Sequence, residues 1–155
     1  MPNKHDEKLK IRAYHPYDKP KLLALLKLNV PQYFAESEIA DLDEYLEHGI
    51  EQYFVIEYES SIIGAGGINI EDNNTTGKIS WDFIDPEFQG KGVGRELLKY
   101  RINLLKSISS IENIRVRTSQ LTYQFYEKSG FVLKKVVPDY WSKGFDLYEM
   151  DYEPN

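Results

Sequence analysis

The segment IDPEFQGKGVGR (residues 84–95) lies between the end of a predicted strand and the start of a predicted helix. Its glycines, Gly90, Gly92 and Gly94, stand at alternate positions, and glycine lets a backbone approach a ligand closely. The first turn of the following helix adds unpaired N–H donors and the positive end of the helix dipole. The segment therefore predicts a site for an anion, and phosphate groups are typical ligands of such sites.

The spacing of these glycines excludes two common phosphate-binding motifs. The dinucleotide fingerprint G-x-G-x-x-G would need glycine at Arg95 or at Leu97, and the Walker pattern G-x-x-x-x-G-K-S/T is absent. The glycines alone leave one alternative open, namely a tight strand-to-helix turn that binds no ligand.

A second distinctive segment, SQLTYQFYEKSGF (residues 119–131), follows farther along the chain. Together the two segments resemble the GNAT superfamily of acyl-CoA-dependent N-acyltransferases. Residues 89–94 match the family's pyrophosphate-binding signature Q/R-x-x-G-x-G/A, after a strand that ends in an Asp-Pro turn. Residues 125–131 keep the core Phe-Tyr-Glu-Lys-x-Gly-Phe of its second signature. The resemblance covers residues 9–152.

The resemblance implies acetyl-CoA as the cosubstrate. It implies that backbone N–H groups bind the CoA pyrophosphate in a continuous run formed by Gln89, Gly90, Lys91, Gly92, Val93, Gly94 and Arg95. The pantetheine arm would lie beside Phe83 and Ile84 like an added strand, where the parallel strands beginning at 78 and 113 should splay apart. Ser119 and Tyr126 complete the implied cofactor contacts. The side chains of Lys91 and Arg95 either assist the phosphates or are solvated surface cations.

Acyl transfer to an amine needs a neutral nitrogen, a stabilised oxyanion and a proton for the departing thiolate. The resemblance places Tyr126 near the sulfur as the general acid. Because a free phenol has a pKa of about 10 and a thiol one of about 8.5, an unperturbed tyrosine would donate a hydrogen bond or relay a proton.

Asp82, on the polar face of its predicted strand, is the candidate base. The alternative for Asp82 is a structural salt bridge to Arg115 or Arg117 on the neighbouring strand. The oxyanion would be bound by a backbone N–H near Phe83 and Ile84, as in relatives with a β-bulge at that place.

The resemblance also implies an acceptor pocket between the first two helices and the last hairpin, lined by Tyr33, Phe34, Tyr140 and Trp141. The predicted loop at residues 138–144, which contains the last two, could instead be a contact in a homodimer. An acidic segment favours a cationic acceptor such as a polyamine, or is simply a solvated helix face. It comprises Glu36, Glu38, Asp41, Asp43, Glu44 and Glu47.

Hydrophobic periodicity predicts the remaining elements. The predicted strands are residues 9–14, 53–59, 62–71, 78–84, 113–118, 131–136 and 145–152, and the helices lie between Asp18 and Pro31 and at 36–47, 93–106 and 121–129. Alternation places Ile79, Trp81 and Phe83 on one face of their strand. With the resemblance, this predicts one three-layer α+β domain over residues 1–155. Its mixed, mostly antiparallel sheet has six to seven strands, helices on both faces and a splayed parallel pair.

Composition excludes several other kinds of protein. The 155 residues contain no cysteine, which excludes disulfides, a thiolate nucleophile and thiolate metal sites, and the three histidines are poorly spaced for a metal. A net charge of −6 argues against a nucleic-acid partner. No apolar run suits a signal peptide or a membrane span, so the expected location is the cytoplasm.

The sequence therefore predicts an enzyme that moves an acetyl group from acetyl-CoA to a primary amine of a small molecule or peptide. The amine would attack directly in a ternary complex, without a covalent enzyme intermediate and without a metal. A non-catalytic domain that binds acyl-CoA as a sensor or scaffold is the alternative. A nucleotide-binding domain of another kind is disfavoured by the failed glycine spacings.

Overall fold

Seven strands form one sheet in the computed structural model, which describes residues 8–154. The strands are β1 (Leu9–Ala13), β2 (Gln52–Tyr58), β3 (Ser61–Glu71), β4 (Thr76–Ile84), β5 (Asn113–Thr118), β6 (Phe131–Ser142) and β7 (Phe145–Tyr152). The helices are α1 (Lys19–Lys27), α2 (Glu38–His48), α3 (Val93–Lys106) and α4 (Tyr123–Lys128). Short 3-10 turns lie at Pro16–Asp18 and Pro86–Phe88.

The strand order is β1-β2-β3-β4-β5-β7-β6, and β4 and β5 are the one parallel pair among the described strands. Their pairing starts at Thr76 and Asn113 and stops at Ile79 and Val116, although β4 continues to Ile84. The two strands therefore separate toward their carboxyl ends. The predicted fold class, a mixed and mostly antiparallel sheet with a splayed parallel pair, is confirmed.

Helices α1 and α2 cover one face of the sheet and α3 covers the other. Helix α1 has Pro20 in its first turn, where no N–H partner is needed, and buries Leu22, Leu25 and Leu26 at helical spacing. They pack with residues of α2 and with Val55 of β2. On the opposite face, α3 packs its own apolar residues against the sheet. These are Val93, Leu97, Leu98, Ile102 and Leu105.

A β-bulge interrupts the ladder between β3 and β4. Trp81 and Asp82 together lie opposite Gly66, with regular pairing on either side. Trp81 has a φ of 46°, a value that side chains other than glycine seldom adopt. Because a bulge adds one residue to one strand, it reverses the alternation of side chains beyond it.

The bulge makes the predicted common face of β4 wrong. Ile79 packs with α3, whereas Trp81 and Phe83 pack with α1 and α2. Asp82 points to the α3 face, where it contacts Arg101. Two adjacent residues of one strand, Trp81 and Asp82, thus face opposite sides of the sheet.

The predicted loop at residues 138–144 is also wrong over most of its length, since only Lys143 and Gly144 form a turn. Strand β6 runs through Pro138 to Ser142, and β7 begins at Phe145. Proline is tolerated here because β6 is the last strand of the sheet, and an edge strand need not donate every N–H. Trp141 fixes this segment by donating its indole N–H to the Thr118 carbonyl oxygen at 3.0 Å.

No helix within residues 8–154 is both long and apolar enough to cross a lipid bilayer.

Gly66 has no room for a side chain, and we predict that Gly66→Ala is destabilising. A Cβ at this position would lie 2.7 Å from Nη1 of Arg101 and 2.8 Å from Cβ of Asp82. We expect the free energy of unfolding, measured by urea denaturation, to fall by about 1–3 kcal/mol because the site is overpacked. Gly94→Ala is the matched control, since its Cβ would lie an ordinary 3.4 Å from the ring of Phe125. Equal stabilities of the two variants would contradict this packing.

Candidate active site

A cleft of about 980 Å³ opens where β4 and β5 separate. Its volume is in the upper part of the range of about 300–1,000 Å³ that is usual for small-molecule and cofactor sites. The lining comes from β4, the end of β5, the turn before α3 and the first turns of that helix, α4 and the segment before it, the segment between α1 and α2, Glu38 and Tyr45 of α2, and Trp141 and Phe145 of the last two strands. Parts of the chain that are far apart in sequence, such as the segment before α2 and strand β6, therefore meet at one opening.

The structure brings most of the predicted site residues into this cleft. The lining contains Tyr33, Phe34, Asp82, Phe83, Ile84, Gln89, Gly90, Lys91, Gly92, Gly94, Arg95, Ser119, Tyr126 and Trp141. Two predicted residues are not in that lining. The side chain of Val93 is fully buried in the core, although its backbone begins α3 directly after the glycine turn. Tyr140 is 44% exposed, and its hydroxyl accepts a hydrogen bond from Nη2 of Arg117 at 2.8 Å.

The turn before α3 has the backbone geometry that its glycines predict. Gly90 and Gly92 have φ values of 76° and 84°, in the left-handed region, and Gly92 is the N-cap of α3. The N–H groups of the first turn of α3 have no partner within the helix. Lys91, Arg95 and Lys128 add positive charge to the lining. This part of the cleft suits a pyrophosphate group.

Asn29 holds this turn against the rest of the cleft. Its side chain, 2% exposed, donates from Nδ2 to the carbonyl oxygens of Leu25 at 3.0 Å and Ile84 at 3.2 Å. Its Oδ1 accepts from Nε2 of Gln89 at 3.3 Å. Asn29 therefore links the end of α1, the end of β4 and the glycine turn. Sequence reasoning missed it, because an asparagine after a helix is usually a local cap.

The bulged segment of β4 presents main-chain groups to the cleft. Beyond Ile79, the edge of β4 that faces β5 has no strand partner among the described strands. The carbonyl oxygen of Trp81 accepts from the hydroxyl of Tyr53 at 2.7 Å, and burial raises the pKa of that tyrosine well above its usual value. An extended ligand arm could form hydrogen bonds with the other main-chain N–H and C=O groups along this edge of β4, as an added strand.

A buried polar cluster joins three elements at the bulge. The hydroxyl of Tyr126 on α4 donates to Oδ1 of Asp82, and Nη2 of Arg101 on α3 donates to Oδ2 of Asp82 at 2.6 Å. Arg101 is completely buried and also donates to the carbonyl oxygens of Gly67 and Leu97, both at 3.2 Å. Each nitrogen of the guanidinium thus has a hydrogen-bond acceptor.

Tyr126 remains a proton donor at neutral pH. Burial raises the pKa of its hydroxyl well above the usual value, and the neighbouring negative charge of Asp82 raises it further. The residue is 5% exposed and lies in the lining of the cleft. Its hydroxyl can therefore donate a hydrogen bond or pass on a proton, but it does not ionise readily.

The salt bridge predicted as the alternative for Asp82 does not form with Arg115 or Arg117. Arg115 pairs with Asp151 at 2.9 Å and Arg117 pairs with Glu149 at 3.5 Å, so neither arginine reaches Asp82. Sequence reasoning missed Arg101. The available signal was its position on the buried stripe of α3, four residues after Leu97 and four before Leu105, where a charged side chain needs a partner.

The family model described as the acetyltransferase (GNAT) domain matches residues 26–154. The chain belongs to the GNAT acetyltransferase family. The family prediction made from the glycine turn and the Tyr126 segment is therefore confirmed.

Solved structures with the GNAT fold are similar over nearly the whole chain, at low sequence identity. One is a protein from Desulfovibrio desulfuricans assigned to the acetyltransferases of this family, with a TM-score of 0.77, 20% identity and coverage of 94% of this chain and 98% of the other. Another is an aminoglycoside 6'-N-acetyltransferase in complex with coenzyme A, with a TM-score of 0.73, 16% identity and coverage of 92% and 95%.

A third similar structure is a variant spermidine N-acetyltransferase from Vibrio cholerae, with a TM-score of 0.71, 21% identity and coverage of 94% and 93%. Identities this low show a shared fold and not a shared acceptor. A search of curated protein sequences gave no match.

We predict that Asp82→Ala strongly destabilises this GNAT domain. The substitution leaves the buried guanidinium of Arg101 without its carboxylate, which costs about 3–5 kcal/mol in comparable buried pairs. Asp151→Ala is the control, because the Arg115–Asp151 pair that it breaks is partly exposed, and we expect a loss within about 1 kcal/mol. Chemical denaturation measures both. Similar losses in the two variants would show that Arg101 does not depend on Asp82.

Proposed function

We propose that this GNAT domain transfers an acetyl group from acetyl-CoA to a primary amine by direct attack in a ternary complex. One observation carries the proposal: the left-handed glycine turn and the Tyr126–Asp82 pair open onto the same cleft between β4 and β5. The turn offers a site for a pyrophosphate, and the pair offers proton-transferring groups. The structural similarity to a GNAT enzyme in complex with coenzyme A agrees with this assignment.

The residues of the cleft fit acetyl-CoA. In the proposal, backbone N–H groups of residues 89–95 bind the pyrophosphate, with added charge from Lys91 and Arg95. The main chain at Phe83 and Ile84 pairs with the pantetheine arm, and Ser119 lines the same cleft. When bound, acetyl-CoA supplies the thioester carbonyl that the amine attacks and the thiolate that leaves.

In this proposal, Asp82 and Tyr126 together transfer a proton from the amine to the departing sulfur. A bond forms between the amine nitrogen and the acetyl carbon, and the carbon–sulfur bond breaks. The nitrogen loses a proton to the oxygen of Tyr126 while the hydroxyl proton moves to Asp82, and the reverse transfer delivers a proton to the sulfur. Asp82 thus acts as the base through Tyr126, as the hydrogen bond between them suggests. Arg101 is a positioning residue that fixes the carboxylate.

The proposed acceptor is an amine, and the proposed transfer to it is direct. Similar structures include enzymes named for an aminoglycoside and for spermidine, which supports an amine as the acceptor here. The sequence contains no cysteine, so an acyl-cysteine intermediate is excluded and direct transfer is favoured.

A binding assay followed by a turnover assay tests the function. We expect acetyl-CoA and CoA, but not ATP or NAD, to raise the melting temperature, and we expect free thiol to be released in the presence of a suitable amine. Thermal stabilisation without thiol release across small amines, peptides and aminoglycosides would instead identify an acyl-CoA sensor.

We predict that Tyr126→Phe lowers kcat by about 100-fold or more, the usual size of a general acid–base contribution. Acetyl-CoA affinity, measured by calorimetry, should stay the same, because the ring remains in place. Tyr123→Phe is the matched control: this tyrosine lies on the same helix, contacts the ring of Tyr148 and is not in the cleft lining. Unchanged turnover in Tyr126→Phe would remove this hydroxyl from the mechanism.

A further inference from the structure

Glu38 places a buried carboxylate in the cleft, on the face of the sheet opposite to the Tyr126–Asp82 pair. Its side chain lines the cleft, the residue is 6% exposed, and it starts α2. Helix α2 covers the sheet face to which Trp81 points, whereas Asp82 points to the α3 face. A ligand on the α2 side of the cleft and one on the α3 side therefore meet different carboxylates.

The carboxylate of Glu38 lacks a counter-charge. Oε2 accepts a hydrogen bond from the N–H of Ala35 at 2.8 Å, and no lysine, arginine or histidine within residues 8–154 forms an ion pair with Glu38. Burial raises the pKa of this carboxyl, against the lowering effect of the Ala35 hydrogen bond. A buried carboxylate without a cation is costly, and a cationic ligand would remove that cost.

Three aromatic rings line the α2 side of the cleft. Phe34 stacks on Trp81 with ring centroids 6.3 Å apart, and Tyr45 contacts Trp81 at the same centroid distance. All three side chains line the cleft with Glu38. The faces of aromatic rings attract ammonium groups, and tryptophan attracts them most strongly. The bulge places Trp81 here, because regular alternation would put it with Ile79 on the other face.

Two cations on this face do not compete for Glu38. Lys78 precedes Ile79 in β4, and Arg117 follows Val116 in β5. Because Ile79 and Val116 face α3, alternation points Lys78 and Arg117 to the α2 side, and both line the cleft. Each has its own carboxylate partner: Lys78 pairs with Glu71 at 3.0 Å and Arg117 pairs with Glu149 at 3.5 Å. Asp82, the other acidic residue of the lining, forms an ion pair with Arg101.

We infer that Glu38 and the rings of Phe34, Tyr45 and Trp81 bind a second, non-reacting ammonium group of the acceptor, so that the substrates are diamines or larger polycationic amines. This inference rests on the proposed acetyl transfer. The reacting nitrogen must be neutral, but a nitrogen bound to a carboxylate stays protonated. The nitrogen at Glu38 is therefore not the one that reacts, and the acceptor carries at least two amines.

Glu38→Gln tests the inference, because it removes the charge and keeps an oxygen for the Ala35 N–H. The acceptors are a series of α,ω-diamines of increasing length, each matched to the amino alcohol that replaces one amine by a hydroxyl. In the wild type, kcat/KM should favour the diamine. The variant should lose roughly tenfold to a hundredfold of that preference, mainly through a higher KM for the diamine. A loss of this size is usual when a hydrogen bond to a charged group is removed. Turnover of the amino alcohols should change much less, because a hydroxyl carries no charge for Glu38 to bind.

Glu36→Gln is the matched control, since Glu36 is exposed in the same acidic segment. It should leave the preference intact. If both variants lose the preference for diamines equally, that preference comes from the general negative charge of the segment and the Glu38 site is refuted. If Glu38→Gln keeps the preference, the Glu38 site is also refuted. The melting temperature of Glu38→Gln should not fall; a large fall with an unchanged preference would make Glu38 a helix cap only.

Failure of the inference can be told apart from failure of the proposed function. Wild-type thiol release with an amino alcohol, but without preference for any diamine, refutes the Glu38 site and keeps the acetyltransferase. If no amine is acetylated, calorimetric titration of the diamines into the CoA-saturated protein still decides the matter. Binding to the wild type that weakens at least about tenfold in Glu38→Gln supports the site. Equal or absent binding overturns it.

Discussion

The buried ion pair between Arg101 and Asp82 is the interaction on which the cleft depends. Burying a guanidinium completely is unfavourable unless a carboxylate and further acceptors surround it, and here Asp82, Gly67 and Leu97 provide them. The pair fixes the bulge of β4 against α3. It needs Gly66 opposite the bulge, because any side chain there would collide with the guanidinium.

The bulge gives the two faces of the sheet different chemistry at one opening. Asp82 meets Tyr126 on the α3 face, and Trp81 meets Phe34 and Tyr45 on the α2 face. Since β4 and β5 no longer pair at this level, a ligand on one face can reach a ligand on the other. Solved structures named for acetylation of an aminoglycoside and of spermidine share this fold at 16% and 21% identity. Side chains such as Glu38, rather than the fold, would then select the acceptor.

The sequence predicts what local patterns determine. The glycines at 90 and 92 occur where a left-handed backbone is needed, and the apolar spacing of α1 follows from its own turns. The bulge, the Arg101 ion pair and the Asn29 link could not be predicted in the same way. Each depends on which residue of one element lies beside a residue of another, and one extra residue in β4 reversed the predicted faces of Trp81 and Phe83.

A crystal structure of the protein with coenzyme A tests the central claim most directly. We expect electron density for the pyrophosphate at the N–H groups of residues 89–95, with the pantetheine arm paired to β4 at Phe83 and Ile84 and the sulfur next to the hydroxyl of Tyr126. Coenzyme A bound elsewhere on the molecule, with the glycine turn empty and β4 and β5 free of ligand, would contradict it.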